Sequence, residues 1–157
     1  MDKLQLWDQL IEHTEQELAQ VERAARDAAE YATDDEAKAE SKWDTQGLEA
    51  SYLAAGQAKK VGEFREALSK LQAMRTQINQ HFNTVREGSL VTLNWADETN
   101  FYLIVPAAGG AELKQDDGTE VWTLTPPTPL GQRLIGKSAS SSIRMPNGTN
   151  AEIISIQ

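Results

Sequence analysis

Residues 4–32 read LQLWDQLIEHTEQELAQVERAARDAAEYA, and Leu4, Trp7, Ile11, Thr14, Leu18, Val21, Ala25, Ala28 and Ala32 step through them by alternating threes and fours. That stride is the a/d seam of a helix that packs on one partner, with Glu15, Glu17, Glu22, Arg23 and Arg26 outside it. A second run, Val61, Phe64, Leu68, Leu71, Ile78, Phe82 and Val85, keeps the same stride, although Arg75 takes one seam position beside Met74. Each run predicts a helix of roughly 45 Å at 1.5 Å per residue. Thr33-Asp34-Asp35 and Asp44-Thr45-Gln46-Gly47 lie between them and supply caps and a glycine, the materials of a turn. Seam against seam gives an antiparallel helical hairpin as the simplest arrangement; two helices of a compact bundle are the other reading, but the sequence offers no third amphipathic helix.

Working outward, the punctuation changes near Arg86–Ser89. All five prolines and seven of the ten glycines lie from Gly88 onward. The predicted division is a hairpin over 1–86 and a β-rich domain over 87–157. Ser89–Trp95 alternates, Asn100–Val105 is apolar, and Val121–Leu124 and Glu152–Ile156 are β-branched, with Gly109-Gly110, Asp116-Asp117-Gly118 and Pro146-Asn147-Gly148 as turns. One short helix fits Pro129–Ile135, capped by Thr128 and stopped by a left-handed Gly136. The fold class is α+β: a helical hairpin, then a small, curved antiparallel sheet crossed by one helix.

Composition narrows the chemistry. The chain has 157 residues, a formal charge of -9 from 24 acids and 15 bases, and no cysteine. That charge argues against wrapping duplex nucleic acid. The missing thiols remove disulfides, thiol catalysis and thiolate zinc sites. No apolar run approaches the roughly 20 residues of a membrane span, and MDKLQLWDQL is unlike a signal peptide, so the expected location is cytoplasmic. No Ser-His-Asp, Walker or Rossmann arrangement is present.

The hairpin's turn is the unusual place. Between Glu30 and Glu49 stand seven carboxylates (Glu30, Asp34, Asp35, Glu36, Glu40, Asp44, Glu49) against Lys38 and Lys42. One reading is a solvated turn whose acids cap helices. The other is that carboxylates are carried to a divalent cation on a partner, since Mg²⁺ takes one or two protein oxygens plus water and phosphate. Trp43 either wedges into a partner or packs across the turn. Arg23, Arg26, Lys59, Lys60 and Arg65 fall below the turn, where Glu22, Asp27, Glu63 and Glu66 are partners at helical spacing. His13 and His81 have no ligand spacing. Trp95, Phe101, Tyr102 and Trp122 read as sheet packing ahead of an aromatic pocket.

Thr125-Pro126-Pro127-Thr128-Pro129-Leu130-Gly131-Gln132-Arg133-Leu134-Ile135-Gly136-Lys137 resembles the Ser-Pro-(Leu/Ile)-(Ala/Gly)-x-x-Leu-(Ile/Leu)-Gly-Lys signature of the bacterial Gre transcript-cleavage factors. Glu49-Ala50-Ser51-Tyr52-Leu53-Ala54-Ala55-Gly56-Gln57 is similar to the segment after that family's tip, and Ile143–Gly148 with Glu152–Ile154 to its closing hairpin. The resemblance implies a coiled coil with an acidic tip and an FKBP-like C-terminal domain. It implies docking on RNA polymerase through Pro129, Leu130, Gln132, Arg133 and Lys137, and entry of the tip into the secondary channel.

There, Asp44 and Glu49 are the nearest equivalents of the family's working acids. By that likeness they help hold the polymerase's second Mg²⁺ and position a water while the polymerase hydrolyses a backtracked transcript. Arg23, Arg26, Lys59 and Lys60 become candidates to contact the RNA 3′ segment. The implied role is an accessory factor without a cofactor of its own, and without DNA-specific or membrane binding. The family's acids are three residues apart; these are five apart, which keeps a non-cleaving regulator of the same fold as the alternative. A chaperone-like or scaffolding hairpin is the further alternative.

Overall fold

The computed structural model describes residues 1–33, 45–96 and 98–157. Two long helices come first, α1 at Lys3–Thr33 and α2 at Gln46–Met74, and a 3-10 turn follows at Arg75–Gln77. Then come β1 (Leu90–Trp95), β2 (Glu98–Ile104), β3 (Glu112–Lys114), β4 (Glu120–Leu124), α3 (Pro129–Leu134), β5 (Ser142–Arg144) and β6 (Asn150–Ile156). This is the expected order of helical pair, then sheet with one short helix. Asp8 pairs with Arg75, just past the end of α2, and Glu22 with Arg65 on it, each at 2.6 Å, so partner numbers fall as those along α1 rise. The two helices run antiparallel.

Packing divides the chain into two compact units, His13–Leu68 and Met1–Glu12 with Ser69–Gln157. In the first unit the seam of α1 is buried or half-buried from Thr14 through Ala32, as its stride predicts. On α2 the seam begins earlier than expected, with Ala50, Ala54 and Gln57 continuing the three-four step that Val61 takes up. Alanines there carry too little apolar area to stand out in a sequence.

The second unit has three layers. The sheet order is β3-β4-β2-β1-β6-β5. Neighbours are antiparallel except β2 and β4, which pair in parallel because the chain goes out to the edge strand β3 before returning inward. Strand alternation sends Leu90, Leu103, Leu113 and Val121 to one face, where they pack with Leu6, Trp7, Leu10, Leu71 and Ile78. Val91, Leu93, Ile104 and Ile153 go to the other face, with Leu134 of α3 and with Val85.

Leu6 and Leu10 lie off the a/d seam and are fully buried. The first turns of α1 therefore have two neighbours, α2 and the sheet, and their apolar stripe widens to match. Gln9 completes the contact: its amide donates to Lys114 O at 2.9 Å and accepts from Lys114 N at 3.3 Å. A side chain thus pairs the outer backbone of edge strand β3 as a neighbouring strand would.

The predicted second helix overshoots. The α-helix stops at Met74, although the apolar stride continues to Val85. Ile78 is buried on the sheet, while Val85 N donates to Lys137 O and Val85 O accepts from Gly136 N. Thr76, Asn79, Asn83 and Thr84 are poor helix formers, and backbone pairing with the 136–137 segment takes over. The short strands β3 and β5, three residues each, carry too little alternation to be legible in sequence.

Candidate functional site

The Thr128–Lys137 segment is organised by its backbone. Thr128 caps α3: its hydroxyl accepts from Gly131 N at 3.1 Å and donates to Thr125 O at 2.7 Å, with Pro129 next at the helix start. A Cβ on Gly131 would stand 2.3 Å from Thr125 O and 2.8 Å from Pro126 O, so only glycine fits. Gly136 takes a φ of +78°, the left-handed conformation expected of it. Gly131 and Leu134 are buried, and Leu130 packs against the core from its rim. Folding alone therefore accounts for most of this motif.

Its outward positions form a small surface. Pro129, Gln132, Arg133 and Lys137 are exposed. Gln132 Nε2 donates to Pro127 O at 3.0 Å, and Arg133 Nη1 to Arg144 O at 2.7 Å, which ties α3 to β5. Of the five residues assigned to partner binding, Leu130 alone is partly withdrawn into the core. The Lys137 backbone is fixed by Val85, and its side chain is exposed.

At the other candidate site, Glu49 is exposed in the first turn of α2, and its N–H donates to Thr45 O at 2.9 Å. A carboxylate there also complements the helix dipole, which accounts for it without a metal. Asp44 lies outside the described residues, as do Trp43, Asp34, Asp35, Glu36 and Glu40. Among the described residues no group of three His, Cys, Asp or Glu side chains is placed to hold a metal ion.

The basic positions divide between their two readings. Lys59 pairs with Glu63 at 3.8 Å and Arg65 with Glu22 at 2.6 Å, as structural partners. Arg23, Arg26 and Lys60 are exposed and form no ion pair among the described residues. The same unit exposes Tyr31, Leu48, Tyr52 and Leu53, each at least half accessible. Their sequence signal was apolar type at positions off the seam.

The four sheet aromatics do not converge. Phe101 packs on the Leu90 face, Trp95 and Tyr102 on the Val91 face, and Trp122 is 42% exposed. Burial raises the Tyr102 hydroxyl above its ordinary pKa, consistent with a packing role. His13 and His81 are both exposed. Among the described residues, no helix is long and apolar enough to cross a membrane.

No family model matches the chain, and no curated protein does. Among solved structures it is similar to GreA factor homolog 1 (Gfh1) of Thermus thermophilus, at 14% identity over 98% of this chain and 94% of that one, with a TM-score of 0.36. Gfh1 of Thermus aquaticus aligns at 16% identity over 97% and 94%, with a TM-score of 0.38. A further structure of the transcription factor Gfh1 gives 18%, 97%, 93% and 0.38. At these levels of identity and superposition no residue role is carried over from them.

Proposed function

We propose that this protein is a Gre-like accessory factor of bacterial RNA polymerase. Its sheet unit docks on the enzyme through the outward face of α3, and its helical pair carries the acidic stretch into the secondary channel. The observation that carries this reading is the Thr128–Lys137 segment. It resembles the Gre signature in sequence, and it leaves Pro129, Gln132, Arg133 and Lys137 outside while Gly131 and Leu134 hold the turn. The antiparallel helical pair ahead of the sheet agrees with it.

In this reading the protein is not an enzyme by itself. Asp44 and Glu49 complete a metal site that belongs to the polymerase, whose Mg²⁺ activates the attacking water. Arg23, Arg26 and Lys60 are the cations left to meet the transcript. The partners are the polymerase and, indirectly, the nascent RNA 3′ end. A second reading, occupation of the channel without cleavage, is favoured by the five-residue separation of the two acids.

Binding of the full chain to purified core polymerase tests the docking claim. Saturable binding that weakens at least tenfold in the double variant Gln132→Ala, Lys137→Glu is expected. Absence of binding by the folded wild type would return the hairpin to a scaffolding role.

A further inference from the structure

The chain carries 24 acids and a net charge of -9, yet residues 121–151 contain neither Asp nor Glu. The charges in that stretch are Arg133, Lys137 and Arg144, all three exposed. None forms an ion pair among the described residues. An acidic protein thus keeps one cationic face, which runs over α3 to β5 through the bond from Arg133 Nη1 to Arg144 O.

Beside this face opens a groove of about 640 Å³, between the end of α3 and the 74–87 segment. Met74, Pro126 and Ile135 are its apolar lining, and Ile135 is 37% exposed. Its two sides are tied by backbone bonds, Val85 N to Lys137 O and Gly136 N to Val85 O, both at 2.8 Å. Gln77, Arg86 and Glu87 form the polar rim, where Glu87 is the one acid.

Arg86 is held flat at that rim. Its Cζ lies 3.7 Å from the centre of the Phe82 ring, and its Nη2 donates to the side-chain oxygen of Gln80 at 3.3 Å. The Nζ of the buried Lys3 stands 5.1 Å from the same ring, which ties Phe82 to α1. The remaining guanidinium N–H groups of Arg86 have no partner among the described residues. A guanidinium fixed beforehand loses little freedom on meeting a carboxylate, and its fork suits that group.

We infer that the groove and the cationic face beside it take an acidic polypeptide segment, with an apolar side chain seated on Met74, Pro126 and Ile135 and carboxylates on Arg86 and Lys137. This rests on the proposed docking of α3 on the polymerase, and it names the chemistry of the element that docks. Charge complementarity selects an acidic partner, and the open apolar groove continuous with α3 selects a polypeptide side chain as its anchor.

The test places a photoreactive benzophenone side chain at Gln77 on the groove, or at Gln132 on α3, in the full chain bound to core polymerase. Both positions are expected to crosslink, and the polymerase segment captured from position 77 to contain Asp or Glu beside an apolar residue. Ile135→Asp and Arg86→Glu, each shown to be folded, should weaken binding at least tenfold, and added salt should weaken that of wild type. Crosslinking from position 132 alone, with both variants binding as wild type does, would overturn the groove and leave docking through α3 standing. A basic captured segment, or a crosslink to a second copy of this chain, would overturn it as well. Absence of binding by wild type would remove the docking reading and the groove with it.

Discussion

Gly131 shows how one residue fixes the candidate docking face. Its absent side chain lets the backbone of Thr125 and Pro126 close over the start of α3, and that closure sets which side chains point outward. Gly131→Ala gains roughly 1 kcal/mol of helix propensity but forces a Cβ into two carbonyl oxygens. The expected net effect is destabilisation by about 1–3 kcal/mol, read as a lower urea midpoint. An unchanged midpoint would mean that the 125–131 turn is looser than described. At Lys3 the prediction concerns pH. The unfolded chain keeps the ordinary value of 10.5, and the folded chain holds about 8. Between those values the unfolded state binds the extra proton, so the Lys3 contribution makes stability rise with pH across that window. Wild type should gain on Lys3→Met as pH climbs from about 8 to 10.5, measured by paired chemical unfolding curves. A constant difference would contradict the burial of an ammonium at this position.

Among the elements, α1 was the most legible, because a sustained three-four stride fits little besides a helix packed along one stripe. What the stride could not reveal was a second neighbour: Leu6 and Leu10 face the sheet, and nothing local distinguishes that from exposure. The same blindness applies at the end of α2, where Ile78, Phe82 and Val85 keep helical spacing and are used by the sheet unit instead. Thr128, Pro129 and Gly136, by contrast, act locally, through a capping hydroxyl, a fixed φ and a left-handed φ, so α3 could be placed to within a residue. Gln57 offers a test at this scale. It occupies a seam position between Ala54 and Val61 and is half-buried there. Gln57→Leu should stabilise the helical pair by about 1 kcal/mol through added apolar burial, measured as a higher urea midpoint. A fall would show that the amide has a structural partner.

For the whole molecule, the two features that suggest function lie in different units. The signature belongs with the sheet, and Glu49 belongs with His13–Leu68. The likeness to Gre factors was readable in the signature because glycine, proline and cap positions are set by local geometry. The acidic stretch was readable only as a concentration of charge, since a carboxylate at a helix start serves folding and metal binding equally. Glu49 shows this by sitting where either role would put it. The measurement that addresses the central claim is transcript cleavage by stalled, backtracked RNA polymerase in Mg²⁺, with wild type, Asp44→Ala and Glu49→Ala compared at equal occupancy of the enzyme. Wild type is expected to stimulate cleavage, and each substitution to lower the stimulation at least tenfold without loss of polymerase binding. Cleavage that persists in both variants, or a bound wild type that stimulates none, would contradict the proposed role.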